Sequence, residues 1–278
     1  MMRRVLLLGG LDPCGGAGLT ADATVVAVHG AQPLPVAIAT TAQNRRGFLS
    51  CHVLPTEVWR EALDAALADG DVHAVKIGLL GAAPTVSLVA AALRPLLGRA
   101  PIVVDPVLSA TAGGYTVPAA VAAAYREHLL PLATVLTPNH AEAMAVYGGE
   151  PRSALAAGCA AVLQKDGHGS GAFAEDILYE RTGEVRFRRP RLHIGAVHGT
   201  GCALASALAT LLARGLDTAA ACRGAGDWLA SLLQLLGPPA ADGLPRNLPL
   251  GSVPGAHGPS EPAGAPNERS AISETSRR

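Results

Sequence analysis

The sequence predicts an α/β fold in which a doubly wound, mostly parallel sheet carries helices on both of its faces. Short continuous apolar runs recur along the chain, as expected for strands that are buried on both faces. Helical patterns lie between these runs, and such alternation indicates parallel βαβ units. The predicted strands are Val5–Leu8, Val36–Ala39, Val75–Ile77, Ile102–Val104 and Val135–Leu136.

The helices are predicted from the spacing of apolar residues and from capping residues. In Thr56–Ala68, the apolar residues Trp59, Leu63 and Leu67 recur at helical spacing, and Thr56 can cap the helix. The other predicted helices are Thr20–His29, Thr85–Leu97, Ala119–Leu130, Glu142–Tyr147 and Ala203–Ala213.

Two further segments predict an antiparallel hairpin at an edge of the sheet. Ala174–Tyr179 and Glu184–Phe187 alternate polar and apolar residues, and Arg181-Thr182-Gly183 joins them. This pattern is typical of two strands connected by a tight turn.

The character of the sequence changes after Gly237. Residues 238–278 are rich in Pro, Gly, Ala, Ser and charge, and they contain few large apolar residues. Such a segment buries too little surface to offset the entropy lost on ordering. We therefore predict one domain over residues 1–237 and a disordered tail over residues 238–278.

The composition limits the partners of the chain. Its 278 residues carry no formal net charge, which argues against broad binding to nucleic acid or to an anionic membrane. No apolar run approaches the length that spans a bilayer. The five cysteines are scattered without a CxxC pair, so neither a zinc knuckle nor a disulfide framework is expected. A reducing cytoplasm fits this cysteine usage best.

The segment His198-Gly199-Thr200-Gly201-Cys202 predicts an anion-binding helix N-terminus. Its small residues run directly into the Ala/Leu-rich helix 203–213. A helix N-terminus presents unpaired N–H groups and about half a positive charge, and glycines let an anion approach the backbone. Phosphoryl transfer requires such stabilisation of negative charge. A loop followed by an ordinary helix cap is the alternative interpretation.

A second glycine-rich segment, Gly9–Gly18, lies between the first predicted strand and the helix at Thr20. We interpret it as a loop that lets a ligand touch the backbone, with a tight strand-to-helix turn as the alternative. The chain has no Gly-Lys-Ser or Gly-Lys-Thr, and this segment lacks G-x-G-x-x-G, so it is neither a P-loop nor a dinucleotide loop. Asp22, inside the following helix, points either at the ligand or at solvent.

Polar residues follow several predicted strands, where ligands of parallel sheets bind. Asp105 and Glu142 can hold Mg²⁺ beside nucleotide phosphates, and Glu142 can equally pair with the dipole of its own helix. Lys165 follows Ala161–Gln164, where it can reach a phosphate or remain solvated.

The helix N-terminus is expected to lower the pKa of Cys202. A thiolate there is a candidate base toward a substrate hydroxyl, and packing as a small apolar residue is the alternative. His168 and His198 border glycine loops without the spacing of metal ligands, so we expect them to be hydrogen-bonded loop residues.

Taken together, these segments resemble the ribokinase-like superfamily. Within it, they are most similar to the hydroxymethylpyrimidine/phosphomethylpyrimidine kinases of thiamine biosynthesis. The similarity spans about Val5 to Leu236. The motifs that carry it are Gly-x-Asp-Pro-x-Gly-Gly-Ala-Gly from Gly10 to Gly18, Ala21-Asp22, Thr41-Ala42-Gln43-Asn44, Lys76-Ile77-Gly78-Leu79, Asp105-Pro106-Val107, Thr137-Pro138-Asn139 with Glu142, Lys165-x-Gly-His168 and His198-Gly199-Thr200-Gly201-Cys202.

The resemblance implies a role for each motif. The implied substrate-binding residues are Asp22, Gln43, Gly10, Ala17 and Val107. The implied nucleotide-binding residues are Lys165, Asn139 and Thr200, and the implied Mg²⁺ ligands are Asp105 and Glu142. The implied anion hole consists of Gly199, Thr200, Gly201 and Cys202, with Cys202 nearest the attacking hydroxyl.

The activity that the resemblance implies is ATP- and Mg²⁺-dependent phosphorylation of hydroxymethylpyrimidine and of its monophosphate, by a cytoplasmic homodimer. A pyridoxine or pyridoxal kinase of the same fold is the nearest alternative. A non-catalytic pyrimidine-binding sensor is a second alternative. It is suggested by Gln164 and Asp166, which depart from the family pattern, and by residues 149–161, which we expect to be too short for the usual helix.

Overall fold

The computed structural model describes residues 2–109, 116–166, 169, 171–252 and 255. The strands are β1 (Arg4–Leu11), β2 (Gln32–Asn44), β3 (Gly47–Val53), β4 (Ala74–Ile77), β5 (Ile102–Val104), β6 (Val135–Leu136), β7 (Ala161–Gln164), β8 (Phe173–Glu180), β9 (Gly183–Pro190), β10 (Val197–His198) and β11 (Arg246–Asn247). The helices are α1 (Gly18–Val28), α2 (Thr56–Ala68), α3 (Ala83–Leu93), α4 (Ala119–Ala124), α5 (His140–Tyr147), α6 (Pro151–Ala156), α7 (Thr200–Ala213) and α8 (Thr218–Gln234). The candidate loop residue His168 lies outside the described residues.

A nine-stranded sheet forms the centre of the molecule, in the order β3-β2-β1-β4-β5-β6-β7-β8-β9. Strands β2, β1, β4, β5, β6 and β7 run parallel, which confirms the predicted doubly wound sheet. The chain moves outward from β1 first through β2 and later through β4, so the strand order reverses between β1 and β4. Ligands of such sheets bind in the crevice at this reversal.

The two edges of the sheet are antiparallel. Strands β8 and β9 form the predicted edge hairpin. At the other edge β3 pairs with β2, which was not predicted. Gly9, Gly10 and Thr41–Asn44 belong to β1 and β2, although we expected these polar and glycine motifs to follow their strands. Backbone pairing with β3 extends β2 through residues that look loop-like in the sequence.

Both faces of the sheet are buried, as the alternation along β1 shows. Val5 and Leu7 pack into one apolar cluster with α1, α7 and α8. Leu6 and Leu8 pack into a second cluster with α2, α3, α4, α5 and α6. All four side chains are 0% exposed. Among the described residues, no helix combines the length and the apolar character needed to cross a membrane.

Several helices differ in detail from their predictions. Helix α2 has the predicted bounds, but Pro55 occupies the N-cap position and Thr56 lies inside the first turn. Beyond α4 the chain continues as a π turn over Tyr125–Leu129 and a 3-10 turn, instead of one regular helix. The short segment 149–161 does hold a helix, since Pro151 starts α6 and the Glu150 side chain accepts a hydrogen bond from the Arg152 amide. This helix has six residues, and whether it replaces the usual helix of the family stays a prediction.

Residues 238–252 are folded against the domain, which corrects the predicted start of the tail at residue 238. Strand β11 pairs in parallel with β10. Leu248 and Leu250 are buried in the cluster that contains α7 and α8. These two leucines and the backbone pairing order a segment whose composition alone predicts disorder. Of the predicted tail, residues 253–254 and 256–278 lie outside the described residues.

Candidate active site

A cavity of about 640 Å³ lies at the carboxyl ends of the parallel strands, where the strand order reverses. It brings together all the residues predicted to take part in function. They are Gly10, Ala17, Asp22, Gln43, Asp105, Val107, Asn139, Glu142, Lys165, Gly199, Thr200, Gly201 and Cys202. Residues far apart in the sequence meet here because the parallel strands end at the same edge of the sheet.

The N-terminus of α7 opens into this cavity. Gly199 precedes the helix in the left-handed conformation, with φ +83°. A Cβ atom on Gly199 would collide with the carbonyl oxygen of Gly16, so glycine is required at this position. The first intrahelical hydrogen bond runs from the Ala203 amide to the Gly199 carbonyl, 2.9 Å. The amides of residues 199–202 therefore precede the helical hydrogen-bond ladder, where they can donate to an anion.

Lys165 and Asp105 lie directly against this helix N-terminus. The Lys165 Nζ atom is 3.0 Å from Asp105 Oδ1, which also accepts a hydrogen bond from the Thr137 hydroxyl at 3.2 Å. A Cβ atom on Gly201 would lie 3.2 Å from Lys165 Nζ and 3.9 Å from Asp105 Oδ2. Burial alone would lower the pKa of Lys165, but Asp105 and then Glu142 raise it above its usual value. The ammonium group therefore stays charged beside the helix dipole.

Glu142 both caps helix α5 and lines the cavity. Its Oε2 accepts the Asn139 amide at 2.8 Å, and Asn139 Oδ1 accepts the Glu142 amide at 2.9 Å, which forms a capping box at the start of α5. Glu142 also lines the cavity, and burial raises the pKa of its carboxyl group to about 7, against the opposing effect of Lys165. Asp105 and Glu142 thus offer carboxylate oxygens, the ligand type that Mg²⁺ prefers.

The expected lowering of the Cys202 pKa is wrong. Burial raises the pKa of this thiol to about 11, and the neighbouring Lys76 ammonium offsets only part of the effect. Removing the thiolate from water outweighs the helix N-terminus here. Cys202 is therefore a neutral thiol near pH 7.

Asp22 belongs to a buried polar group in the wall of the cavity, which excludes the solvent-facing alternative. Its Oδ2 is 2.7 Å from Lys76 Nζ, and its Oδ1 accepts the Ser206 hydroxyl at 2.8 Å. Burial would lower the pKa of Lys76, but the Asp22 carboxylate raises it above its usual value. This ion pair joins α1 to β4 and, through Ser206, to α7. Lys76 was named only as part of a motif, and its pairing with Asp22 has no local signal in the sequence.

Sequence reasoning missed the part of the cavity wall formed by α8, which we call the far end. Gly226, Leu229, Ala230 and Leu233 of α8 line it. Their spacing of i, i+3, i+4 and i+7 marks one helix face, and this signal could have found them. The Arg189 guanidinium lies beside them, 2.9 Å from Asp227 and 3.4 Å from Asp176.

Comparisons with known proteins give consistent results. A family model described as phosphomethylpyrimidine kinase matches residues 12–241. A hydroxymethylpyrimidine/phosphomethylpyrimidine kinase of Escherichia coli (strain K12) is 36% identical over 245 residues, which cover 84% of this chain and 92% of that protein. The crystal structure of phosphomethylpyrimidine kinase from Clostridium difficile 630 is 27% identical, with a TM-score of 0.72 and coverage of 82% and 98%. Pyridoxal kinase from Staphylococcus aureus in complex with AMP-PCP and pyridoxal shares the fold, with a TM-score of 0.76, 24% identity and coverage of 84% and 88%.

Proposed function

The chain belongs to the phosphomethylpyrimidine kinase family, and we propose that it transfers the γ-phosphoryl group of ATP to hydroxymethylpyrimidine and then to its monophosphate. The observation that carries this proposal is the meeting of the α7 N-terminus with Lys165 and Asp105 in the cavity. We call this part of the cavity, residues 199–202 with Asp105, Glu142 and Lys165, the catalytic corner.

The catalytic corner supplies what phosphoryl transfer requires. The transition state of phosphoryl transfer is loose, so catalysis depends on positioning the reactants and on stabilising the phosphate oxygens. We assign this stabilisation to the amides of residues 199–202 and to the Lys165 ammonium. Thr200 and Asn139 are the further nucleotide contacts that we propose, since both line the same cavity.

The acceptor hydroxyl needs little activation before the phosphoryl group arrives, because its proton leaves late in a loose transition state. The neutral Cys202 thiol agrees with this timing. We propose that Cys202 contacts the hydroxymethyl group as a thiol and does not act as a thiolate base.

The donor set of the catalytic corner fits Mg²⁺. Asp105 and Glu142 are 2% and 6% exposed, and both line the cavity beside Lys165. We propose that these two carboxylates hold the ion, which would supply neutralisation of phosphate charge when bound. Lys165 compensates the charge of the same two carboxylates on the protein side.

Gln43 supports an aminopyrimidine as the acceptor. The Gln43 Nε2 atom donates a hydrogen bond to the Thr41 hydroxyl at 3.1 Å, which orients the amide. The Gln43 carbonyl oxygen is then the atom that we propose accepts an N–H of the ring amino group. Pyridoxal has no such amino group. We propose Asp22, Gly10, Ala17 and Val107 as the remaining substrate contacts, because they line the same part of the cavity.

An ADP-release assay with MgATP tests the proposed function directly. Hydroxymethylpyrimidine, its monophosphate and pyridoxal would be compared at equal concentrations. We expect ADP release with the alcohol and with its monophosphate, and a lower kcat/KM for pyridoxal. Preference for pyridoxal would establish the alternative kinase. Calorimetric binding of the pyrimidine without any ADP release would establish the sensor.

Three further features remain predictions. A homodimer would be tested by light scattering coupled to size-exclusion chromatography. A cytoplasmic location agrees with the five cysteines, all of which are free thiols. We also expect no binding to nucleic acid or to membranes, which a titration with DNA and with anionic vesicles would test.

A further inference from the structure

Residues 242–250, which we call the C-terminal strap, are anchored to several parts of the cavity wall. Arg45, in the turn after β2, donates from Nε to the Pro245 carbonyl at 2.7 Å and pairs with Asp242 at 3.1 Å. The Arg246 amide donates to the Ala196 carbonyl at 3.1 Å, and its guanidinium donates to the Ile194 carbonyl at 2.6 Å. The strap is therefore tied both to the strand that carries Gln43 and to the segment that leads into the catalytic corner.

Asn247 is the strap residue that reaches the first glycine loop. Its Nδ2 donates to the Cys14 carbonyl at 3.0 Å. In the backbone pairing of β10 with β11, Asn247 lies opposite His198. A Cβ atom on Gly16 would collide with the side chains of both Asn247 and His198. The two side chains therefore close directly over the loop that contains Gly16.

Asp12 joins this loop to the segment before α7. Its Oδ2 accepts hydrogen bonds from His198 Nε2 at 3.0 Å and from the Ala17 amide at 2.9 Å. Its Oδ1 accepts the Cys14 amide at 2.9 Å. Burial alone would raise the pKa of Asp12, but the hydrogen bonds from His198 and Cys14 bring it below its usual value. An ionised, buried carboxylate thus bridges the first glycine loop and the segment before α7, and Asn247 binds the first glycine loop through the Cys14 carbonyl.

We propose that Asn247 is a positioning residue that fixes the distance between the loop over residues 12–18 and the loop over residues 198–202. This inference rests on the proposed function, in which the first loop contacts the pyrimidine and the second contacts the transferred phosphoryl group. The distance between the loops then sets the distance between the acceptor hydroxyl and the phosphorus atom. A misplacement of about 1 Å in such geometry costs about 100-fold in rate.

The test compares Asn247→Asp and Asn247→Ala with Ser252→Ala in the full chain. Aspartate keeps the shape of asparagine but cannot donate to the Cys14 carbonyl, so both Asn247 variants lose the hydrogen bond. We expect kcat to fall by about 10- to 100-fold in both, while KM for ATP and for the alcohol changes by less than about threefold. Ser252 is exposed and lies two residues beyond the strap, so its variant should match the parent protein.

Hydrogen exchange gives a second readout that does not depend on activity. Peptides that cover residues 12–18 and 196–202 should exchange faster in both Asn247 variants and not in Ser252→Ala, at a nearly unchanged melting temperature. Normal kcat with normal exchange in both Asn247 variants would overturn the proposal. The proposal would also be overturned if the fall in kcat of the Asn247 variants were no larger than the fall in their folded fraction. If the parent chain releases no ADP with the pyrimidine, the proposed function fails, and the exchange data still decide whether Asn247 orders the loops.

Discussion

The catalytic corner and the far end occupy one cavity but are built differently. In the catalytic corner, backbone amides, an ammonium and two carboxylates line one part of the cavity, Lys165 Nζ lies 3.0 Å from Asp105, and Gly199 leaves no room for a side chain. At the far end, the face of α8 offers mainly apolar area together with the paired Arg189. The function of the corner therefore depends mainly on the exact positions of its polar groups, whereas binding at the far end depends mainly on the apolar area that is buried. We propose that the adenine base of ATP binds against the apolar face of α8, since such a surface suits a flat aromatic ring. Substitutions in the corner should then lower kcat, whereas substitutions at the far end should raise KM for ATP.

Gly201→Pro should have the largest effect. Proline removes the N–H donor of residue 201 but is tolerated in the first turn of a helix. We expect kcat to fall by about 100- to 1,000-fold, with binding of the pyrimidine alcohol preserved in calorimetry. Gly201→Ala is the matched control, because it adds the same Cβ atom near Lys165 but keeps the N–H group. Near-normal turnover of the proline variant would contradict the anion hole.

Glu142 should make Mg²⁺ binding in the catalytic corner depend on pH. With a pKa of about 7, its carboxyl group is protonated below that pH and competes with Mg²⁺ binding. The apparent KM for Mg²⁺ should rise by about tenfold for each pH unit below 7, up to the point where other groups titrate. Glu142→Gln should raise this KM at all pH values and remove the dependence. The exposed control Glu127→Gln should leave the dependence of this KM on pH unchanged. If the KM of the parent protein for Mg²⁺ did not change with pH, Glu142 would not be a ligand of the metal.

Leu229→Ala tests the other side of the comparison. The change removes apolar area from the far end, at about 0.8 kcal/mol for each buried CH₂ group lost. We expect KM for ATP to rise by about 3- to 30-fold, with kcat within about twofold of the parent. Leu235→Ala, at the exposed C-terminal end of the same helix, is the control. A large fall in kcat with unchanged KM would erase the distinction between the two ends.

The smallest expected effect is the change in the alkylation rate of Cys202 with pH. This rate tests whether Cys202 is a neutral thiol. Since only the thiolate reacts and the pKa is about 11, the rate of iodoacetamide modification should increase through pH 7 to pH 10. Peptide mapping by mass spectrometry would follow Cys202 separately from the other cysteines. A rate that is independent of pH over this range would show a thiolate and restore Cys202 as a base.

The sequence predicted the catalytic corner because its positions follow from the fold class. Asp105 and Lys165 come directly after buried parallel strands, and Gly199–Cys202 lead into a helix. The carboxyl ends of parallel strands lie at the same edge of the sheet, and this does not depend on how the helices pack. Glycines and strand ends are local signals, so a single sequence reveals them.

The features that were missed depend on distant partners. The low pKa expected for Cys202 failed because burial is set by the whole fold. The strap looked disordered because its order comes from residues such as Arg45, whose partner Pro245 is 200 positions away. Strand β3 was missed because the polar residues Thr41–Asn44 resemble a loop until a neighbouring strand pairs with them.

A crystal structure with AMP-PCP, Mg²⁺ and hydroxymethylpyrimidine tests the account most directly. We predict that γ-phosphate oxygens lie about 2.7–3.2 Å from the amide nitrogens of Gly201 and Cys202, with the adenine base at the far end. The hydroxymethyl group should point toward the γ-phosphorus atom. A γ-phosphate bound away from residues 199–202, with the pyrimidine at the face of α8, would contradict the assignment of both ends of the cavity.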